Sequence, residues 1–397
     1  MGTRQHPEAA AFEAGLLDHP HDIARWSAYS DYLTEQGDPR GEFMRVQLAL
    51  EDESLSAADR KKLKAAEAEL LAAHEREWLG PLAEFTVKDD WSVRPPVTHV
   101  FERGWLRRVE FEELCVDHAR ALVACPGAQF LRELVIHTMT LGDLYEPGPD
   151  VPEGTDQLDA KLHVLAAGPF LRAVRAFHLG SPATLGENYF FSGHFFGAAA
   201  HLVVRQMPRV ERLELHAYDV DTAAVFAMPM PELRHLSVML VSRYPLELLA
   251  ANPSVSKLES LQCQPCGRDP GACIRLEHLQ AICRSPYLKQ LTTLCLRLTD
   301  FGDAGVRELI DSDALARLRV LDLRGGCVTD AGARLLAVSP HLRGLTFLNL
   351  GRNALTDAGV AMLQATGVNV HCGDQHTDTV VDLEHHIPDY LYDGDTE

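Results

Sequence analysis

Four cysteines, Cys263, Cys266, Cys273 and Cys283, run as C-x2-C-x6-C-x9-C. Clustered thiols are the ligand set of a structural zinc ion, which needs four of them on one tetrahedron. A second reading stands beside it. Cys263 falls on an inward strand position of a repeat, where a small apolar side chain is expected. Cys283 falls at helical spacing with Leu279, which points to a buried thiol. Among the 19 histidines, His137 and His216 share one position of the repeated pattern. Two rungs of a stacked array separate them by ~10 Å, so one metal ion could not bind both. His385-His386 in the acidic C-terminal stretch is a weaker metal-like pair.

Nucleophilic and phosphate chemistry have no motif to carry them. The chain has no strained G-x-S-x-G turn, no Cys–His pair in a catalytic context and no phosphate loop. Gly37-Asp38-Pro39-Arg40-Gly41 has the capping logic of a helix–helix turn. Trp26, Tyr29 and Tyr32 could form a surface aromatic box, although helical spacing makes Trp26 and Tyr29 core residues first. The expectation is a protein that is not an enzyme, with no catalytic residue, no cofactor and no resident metal.

Charge narrows the partner. With 37 basic and 57 acidic residues, the net charge is −20. Neutralising phosphates needs the opposite sign, which excludes nucleic acid as the main partner and favours a basic protein. Residues 1–80 carry 16 acids against 9 bases, and residues 374–397 carry 8 acids and no Lys or Arg. No apolar run approaches the ~20 residues of a membrane span, and no signal-peptide pattern opens the chain. Nine cysteines, an odd number, predict reduced thiols and a cytoplasmic location.

The elements that would hold these residues fall into two styles. The first 80 residues read as helical. Phe12, Leu16 and Leu17 space a first helix that stops at His19-Pro20. Ile23, Trp26, Tyr29 and Leu33 make one stripe on a second helix. Asp38-Pro39 supplies a cap and a first-turn proline for a third, carrying Phe43, Val46 and Leu50. A fourth runs from about Ser56 to Trp78, rich in Ala, Glu, Lys and Leu.

Beyond Pro81 an internal repeat takes over. Leu294, Leu321 and Leu348 stand 27 residues apart, as do Leu296, Leu323 and Leu350, and likewise Asp303, Asp330 and Asp357. Each unit reads L-x-x-L-x-L, a turn, then D-A-G-x-x-x-L. The two-residue alternation points both strand leucines into a core. The Asp is expected to cap a helix start, and the Leu six residues on points inward from that helix. One unit cannot bury both faces, so units must stack. Weaker copies place strand starts at Leu106, Leu131, Leu171, Val210, Leu233 and Leu258, which makes about nine repeats. At Leu171 the inward residues are expected to be Val174 and Ala176. Two long insertions, Gly142–Gln157 and Gly180–Gly193, should leave from one edge of the sheet.

These units resemble leucine-rich repeats of the ribonuclease-inhibitor type, a family that includes the Ran GTPase-activating protein. The resemblance is specific over residues 291–365 and looser back to about 100. The family's Asn or Cys after the strand is present at Asn353, with Gly326 and Thr299 in the preceding copies. The run A-F-E-A-G-L-L-D-H-P with Y-S-D-Y-L-T-E-Q-G-D-P-R-G-E-F-M-R-V-Q resembles the bacterial repeat-companion domain. Phe101–Phe111, F-E-R-G-W-L-R-R-V-E-F, is similar to the usual junction between the two. The resemblance implies a bacterial protein that works by binding. Were the GTPase-activating members the model, Arg297 and Arg324 would be the nearest candidates to reach a phosphate.

The expected fold is therefore α/β: a curved leucine-rich-repeat solenoid over 81–381, preceded by a small all-helical capping domain over 1–80. An acidic flexible tail, 382–397, would follow. The expected function is a non-catalytic protein–protein interaction scaffold that binds on the concave face. The alternative is a regulator, inhibitor or activator, of a partner enzyme. The expected contact residues are His137, Phe177, Glu214, His216, Met239, Arg297 and Arg324, with Phe177, Glu214, His216 and Met239 at the centre.

Overall fold

Side-chain caps set the first helices. Asp22 accepts the Arg25 amide at the start of α2 (Ile23–Glu35), and Asp38 accepts the Arg40 amide at the start of α3 (Pro39–Leu50), with Pro39 in the first turn. Ser56 caps α4 (Ala57–Leu79), which ends at Gly80 with φ +54°. Before them runs α1 (Pro7–Asp18). The computed structural model describes residues 7–86, 96–139, 151–152, 154–180, 197–239, 241, 243–265, 273–376, 381–382 and 387–388. Its chain divides into two compact units, residues 1–135 with 167–174, and residues 136–166 with 175–397.

In the first unit the helices pack on an antiparallel hairpin of β1 (Thr98–Glu102) and β2 (Trp105–Leu114). Leu16, Trp26, Tyr29, Leu33 and Met44 form one core with Trp105 and Phe130. Tyr29 stacks on Trp105, and the Arg40 guanidinium lies 4.2 Å from the centre of the Trp105 ring. Arg103 and Gly104 turn the hairpin with φ of +50° and +81°. Arg103 donates twice to Glu51, at 2.6 and 2.8 Å, and the Gly104 amide donates to Gln47 Oε1 at 2.8 Å. A Cβ at Gly104 would lie 2.2 Å from Met44 Cγ, so only glycine fits against α3.

Two positions of the helical stripes differ from expectation. Ile23, the first residue of α2, lies beyond the packing and is 54% exposed. On α3 the buried positions are Arg40, Gly41, Phe43, Met44 and Gln47, while Val46 and Leu50 are only half-buried. Gln47 is polar yet buried because its amide also donates to Glu67 and to the Phe101 carbonyl.

The second unit carries parallel strands that pair in chain order: β4 (Ala176–Leu179), β5 (Arg212–His216), β6 (His235–Met239), β7 (Ser260–Gln264), β8 (Thr293–Leu296), β9 (Val320–Asp322), β10 (Phe347–Asn349) and β11 (Val370–His371). Short helices return the chain between them, among them α11 (Gly302–Asp311), α13 (Asp330–Val338) and α14 (Asp357–Gln364). One register row runs Phe177, Leu213, Leu236, Leu261, Leu294, Leu321 and Leu348, each at most 1% exposed. These side chains are the core of the array.

That row corrects the expected frame at residue 171. The inward residues there are Phe177 and Leu179, both fully buried, and not Ala176. The template fits Val174-x-x-Phe177-x-Leu179, three residues later than the Leu171 start. Most of the first long insertion, all of the second beyond Gly180, and most of 382–397 lie outside the described residues.

Turns between repeats are held by amides. Asn353, fully buried, donates to the Leu323 and Gly351 carbonyls and accepts the Val328 amide. Gln375 repeats the arrangement one strand on, donating to Leu350 and Gly373 and accepting the Leu355 amide. A Cβ at Gly326 would stand 2.7 Å from Asn353 Oδ1, so glycine leaves the room that Asn353 fills.

Candidate functional site

The face of the parallel sheet opposite the leucine row is polar along its length. Its register row reads His178, Glu214, Ser237, Gln262, Cys295, Asp322, Asn349 and His371. Neighbouring strands stand ~4.8 Å apart, so this is a continuous line of side chains. Two residues further along the strands, a second row begins His216, Met239 and Gln264. Arg297 extends it by donating to Gln264 Oε1 at 3.0 Å.

Charged groups on this face are held in place. His178 Nδ1 lies 3.0 Å from Glu214 Oε2, and Arg212 lies 3.8 Å from the other oxygen. The His178 hydrogen bond, outweighing burial, holds the Glu214 carboxyl below the usual carboxylate range. Arg297 donates through Nε and Nη2 to Asp322 Oδ2, at 3.1 and 2.8 Å, and Asp322 is only 4% exposed. The other Asp322 oxygen accepts the Arg324 amide at 3.0 Å.

His216 and Ser237 form a buried polar pair on this face, 2.9 Å apart. A serine beside a histidine is the arrangement of nucleophilic catalysis, which also needs an acid on the second ring nitrogen and access for substrate. Among the described residues His216 Nδ1 has no hydrogen-bond partner, and the two residues are 4% and 8% exposed. Burial pushes the His216 pKa down to about 4, so the ring is neutral at pH 7. Gly180, with φ +85°, sits against the pair, where a Cβ would fall 2.0 Å from the His216 carbonyl oxygen.

Of the expected contact residues, Glu214, His216 and Met239 come together on β5 and β6, and Arg297 continues their row. His137 is half-buried on β3 (Glu133–Met139), and Arg324 is half-buried beyond β9. Phe177 does not belong to this face, because its ring is fully buried in the leucine row. His178 takes its place, one residue on. His178, Ser237 and Gln264 were not singled out by sequence. The signal for His178 was the better fit of Val174-x-x-Phe177-x-Leu179, with two large apolar residues, over a frame ending in Ala176.

Cys263 and Cys283 are buried in the core, and Cys273 lies half-buried, 3.7 Å from Asp300. Cys266 lies outside the described residues, as does His385-His386. Burial pushes the Cys273 and Cys283 thiols up to about 11. Among the described residues no group of three or more His, Cys, Asp or Glu is placed to hold a metal ion.

Residues 317–337 and 341–363 match the family model described as leucine-rich repeat. Over these two segments the chain is similar to leucine-rich repeats. The matched segments hold β9 with α13 and β10 with α14, and the same parallel strand register continues back to β4. A solved structure of a Bacteroides fragilis protein is similar over 80% of this chain and 84% of that one, at 17% identity and a TM-score of 0.49. No curated protein matches the chain. Among the described residues, no helix is long and apolar enough to cross a membrane.

Proposed function

We propose that this protein is a non-catalytic interaction scaffold and that its partner, a protein, lies on the concave polar face of the leucine-rich repeats. The observation that carries the reading is the second row of that face. Met239, partly exposed, stands between the His216–Ser237 pair and the Gln264–Arg297–Asp322 network. An apolar side chain ringed by anchored polar groups suits an interface, where a few central residues carry most of the energy. The acidic excess of the chain favours a basic partner.

Footprinting tests the reading. The full chain is used to capture its partner from a native extract, and the complex is exposed to hydroxyl radicals. Met239 should oxidise more slowly in the complex than alone, while exposed helix positions such as Val338 keep their rate. Equal oxidation of Met239 in both states would remove the sheet face from the contact. A single stoichiometric enzyme in the captured material would specify the scaffold as a regulator.

A further inference from the structure

The first unit contains a cleft of about 450 Å³ between α1 and the segments around Val123–Gln129 and Pro169–Ala173. Its α1 wall is made by Ala10, Glu13, Ala14 and Leu17, which follow helical spacing along one side. The alanines leave the space, and Leu17, Val123 and Phe170 supply apolar lining.

Glu13 is out of place in such a lining. It is 8% exposed, and its Oε1 accepts the Tyr29 hydroxyl at 2.9 Å. Among the described residues it makes no ion pair and no other side-chain hydrogen bond. Arg172, exposed on the same lining, has interactions of its own but none with Glu13. Tyr29 engages Oε1, which leaves Oε2 as the charged acceptor on this lining that an entering cation can meet.

We propose that this cleft receives a lysine or arginine side chain from a basic segment of a protein partner. The aliphatic stem lies along Leu17, Val123 and Phe170, and the cation meets Glu13. Long basic side chains divide in this way, with an apolar stem and a charged end. Charge complementarity selects the occupant, because residues 1–80 hold 16 acids against 9 bases. The inference goes beyond the sheet-face reading and does not rest on it.

The test uses the ¹⁵N-labelled full chain and amide spectra recorded against three probes. These are the peptide acetyl-Gly-Lys-Gly-amide, its Nε-acetyl-lysine counterpart and butylammonium chloride. The lysine peptide should shift the Ala10, Ala14 and Gln129 amides saturably, and the acetylated peptide should not. In Glu13→Gln, which keeps an acceptor for Tyr29, binding should weaken at least about tenfold. Ala14→Trp, which fills the cleft and leaves Glu13 intact, should also abolish the shifts. The proposal is overturned if the lysine peptide gives no saturable shift, if both peptides act alike, or if Glu13→Gln binds as well as wild type. Butylammonium, which carries the same stem and cation, should shift the same amides, and its failure to do so where the lysine peptide binds would overturn the side-chain assignment.

Discussion

Asp330 Oδ2 accepts the Thr356 hydroxyl at 2.6 Å, and Asp330 Oδ1 accepts the Thr356 amide at 2.9 Å. The first residue of α13 thus holds the N-cap of α14, one repeat later. Asp303 does the same for Thr329, at 2.7 and 2.9 Å, and also accepts the Gly332 amide. Each helix start is capped locally by its own threonine, Thr329 or Thr356. The Asp of the repeated D-A-G therefore caps its neighbour, which differs from the local role its position suggests. The Gly makes room for it, because a Cβ at Gly359 would lie 2.1 Å from Asp330 Oδ1.

Asp330→Ala should lower stability by about 1–2 kcal/mol, the usual cost of losing a cap and its hydrogen bonds. Gly359→Ala should destabilise as well, by forcing Asp330 away. The double variant should be less destabilised than the sum of the two, because the clash disappears with the carboxylate. Chemical denaturation of the four proteins checks this, and strict additivity would refute the coupling.

The corrected register has its own test. Phe177→Ala removes a fully buried ring and should cost about 3–5 kcal/mol. His178→Ala, on the polar face, should cost far less. Equal and small losses from both would return Phe177 to the surface.

His216 makes stability depend on pH. Its folded pKa of about 4 lies below the ordinary 6.5 because burial disfavours the charged ring. Between those values the unfolded chain binds the proton and the folded chain does not, so stability falls as pH drops from 6.5 to 4. The loss is at most about 3 kcal/mol and ceases below pH 4. Denaturation midpoints of wild type and His216→Gln across this window should converge as pH falls. A constant difference would exclude titration of this ring as the cause.

Removing residues 1–80 should leave aggregated or partly melted protein. Trp105 and Phe130 would lose Trp26, Tyr29 and Met44, and Arg103 would lose Glu51. A soluble 81–397 fragment with unchanged melting would show that the helices are dispensable.

The sequence made legible what repeats at a fixed interval. Leu294, Leu321 and Leu348 align at 27 residues, and all three lie in the buried row. The frame slipped where an insertion broke the interval, because Leu171 is itself buried and offered a plausible start. Glu214, His216 and Met239 were legible as alternating outward positions. The partners that fix Glu214, His216 and Arg297, namely His178, Ser237 and Gln264, lie more than twenty residues away in the chain, beyond the reach of periodicity. Gln47 and Gln375 escaped notice for a related reason, since both are polar residues buried by what their amides hold. The same holds for Asp330, whose role is set by a threonine 26 residues on.

The central claim is that Met239 and its neighbours form the partner-binding face. The most direct measurement is the equilibrium affinity of the purified partner for wild type, Met239→Ala, Glu214→Ala and Arg297→Ala, with melting recorded for each. Met239→Ala should weaken binding by about 1–3 kcal/mol with little change in melting, since its side chain is not part of the leucine row. Affinities that stay at the wild-type value in all three variants would contradict the claim.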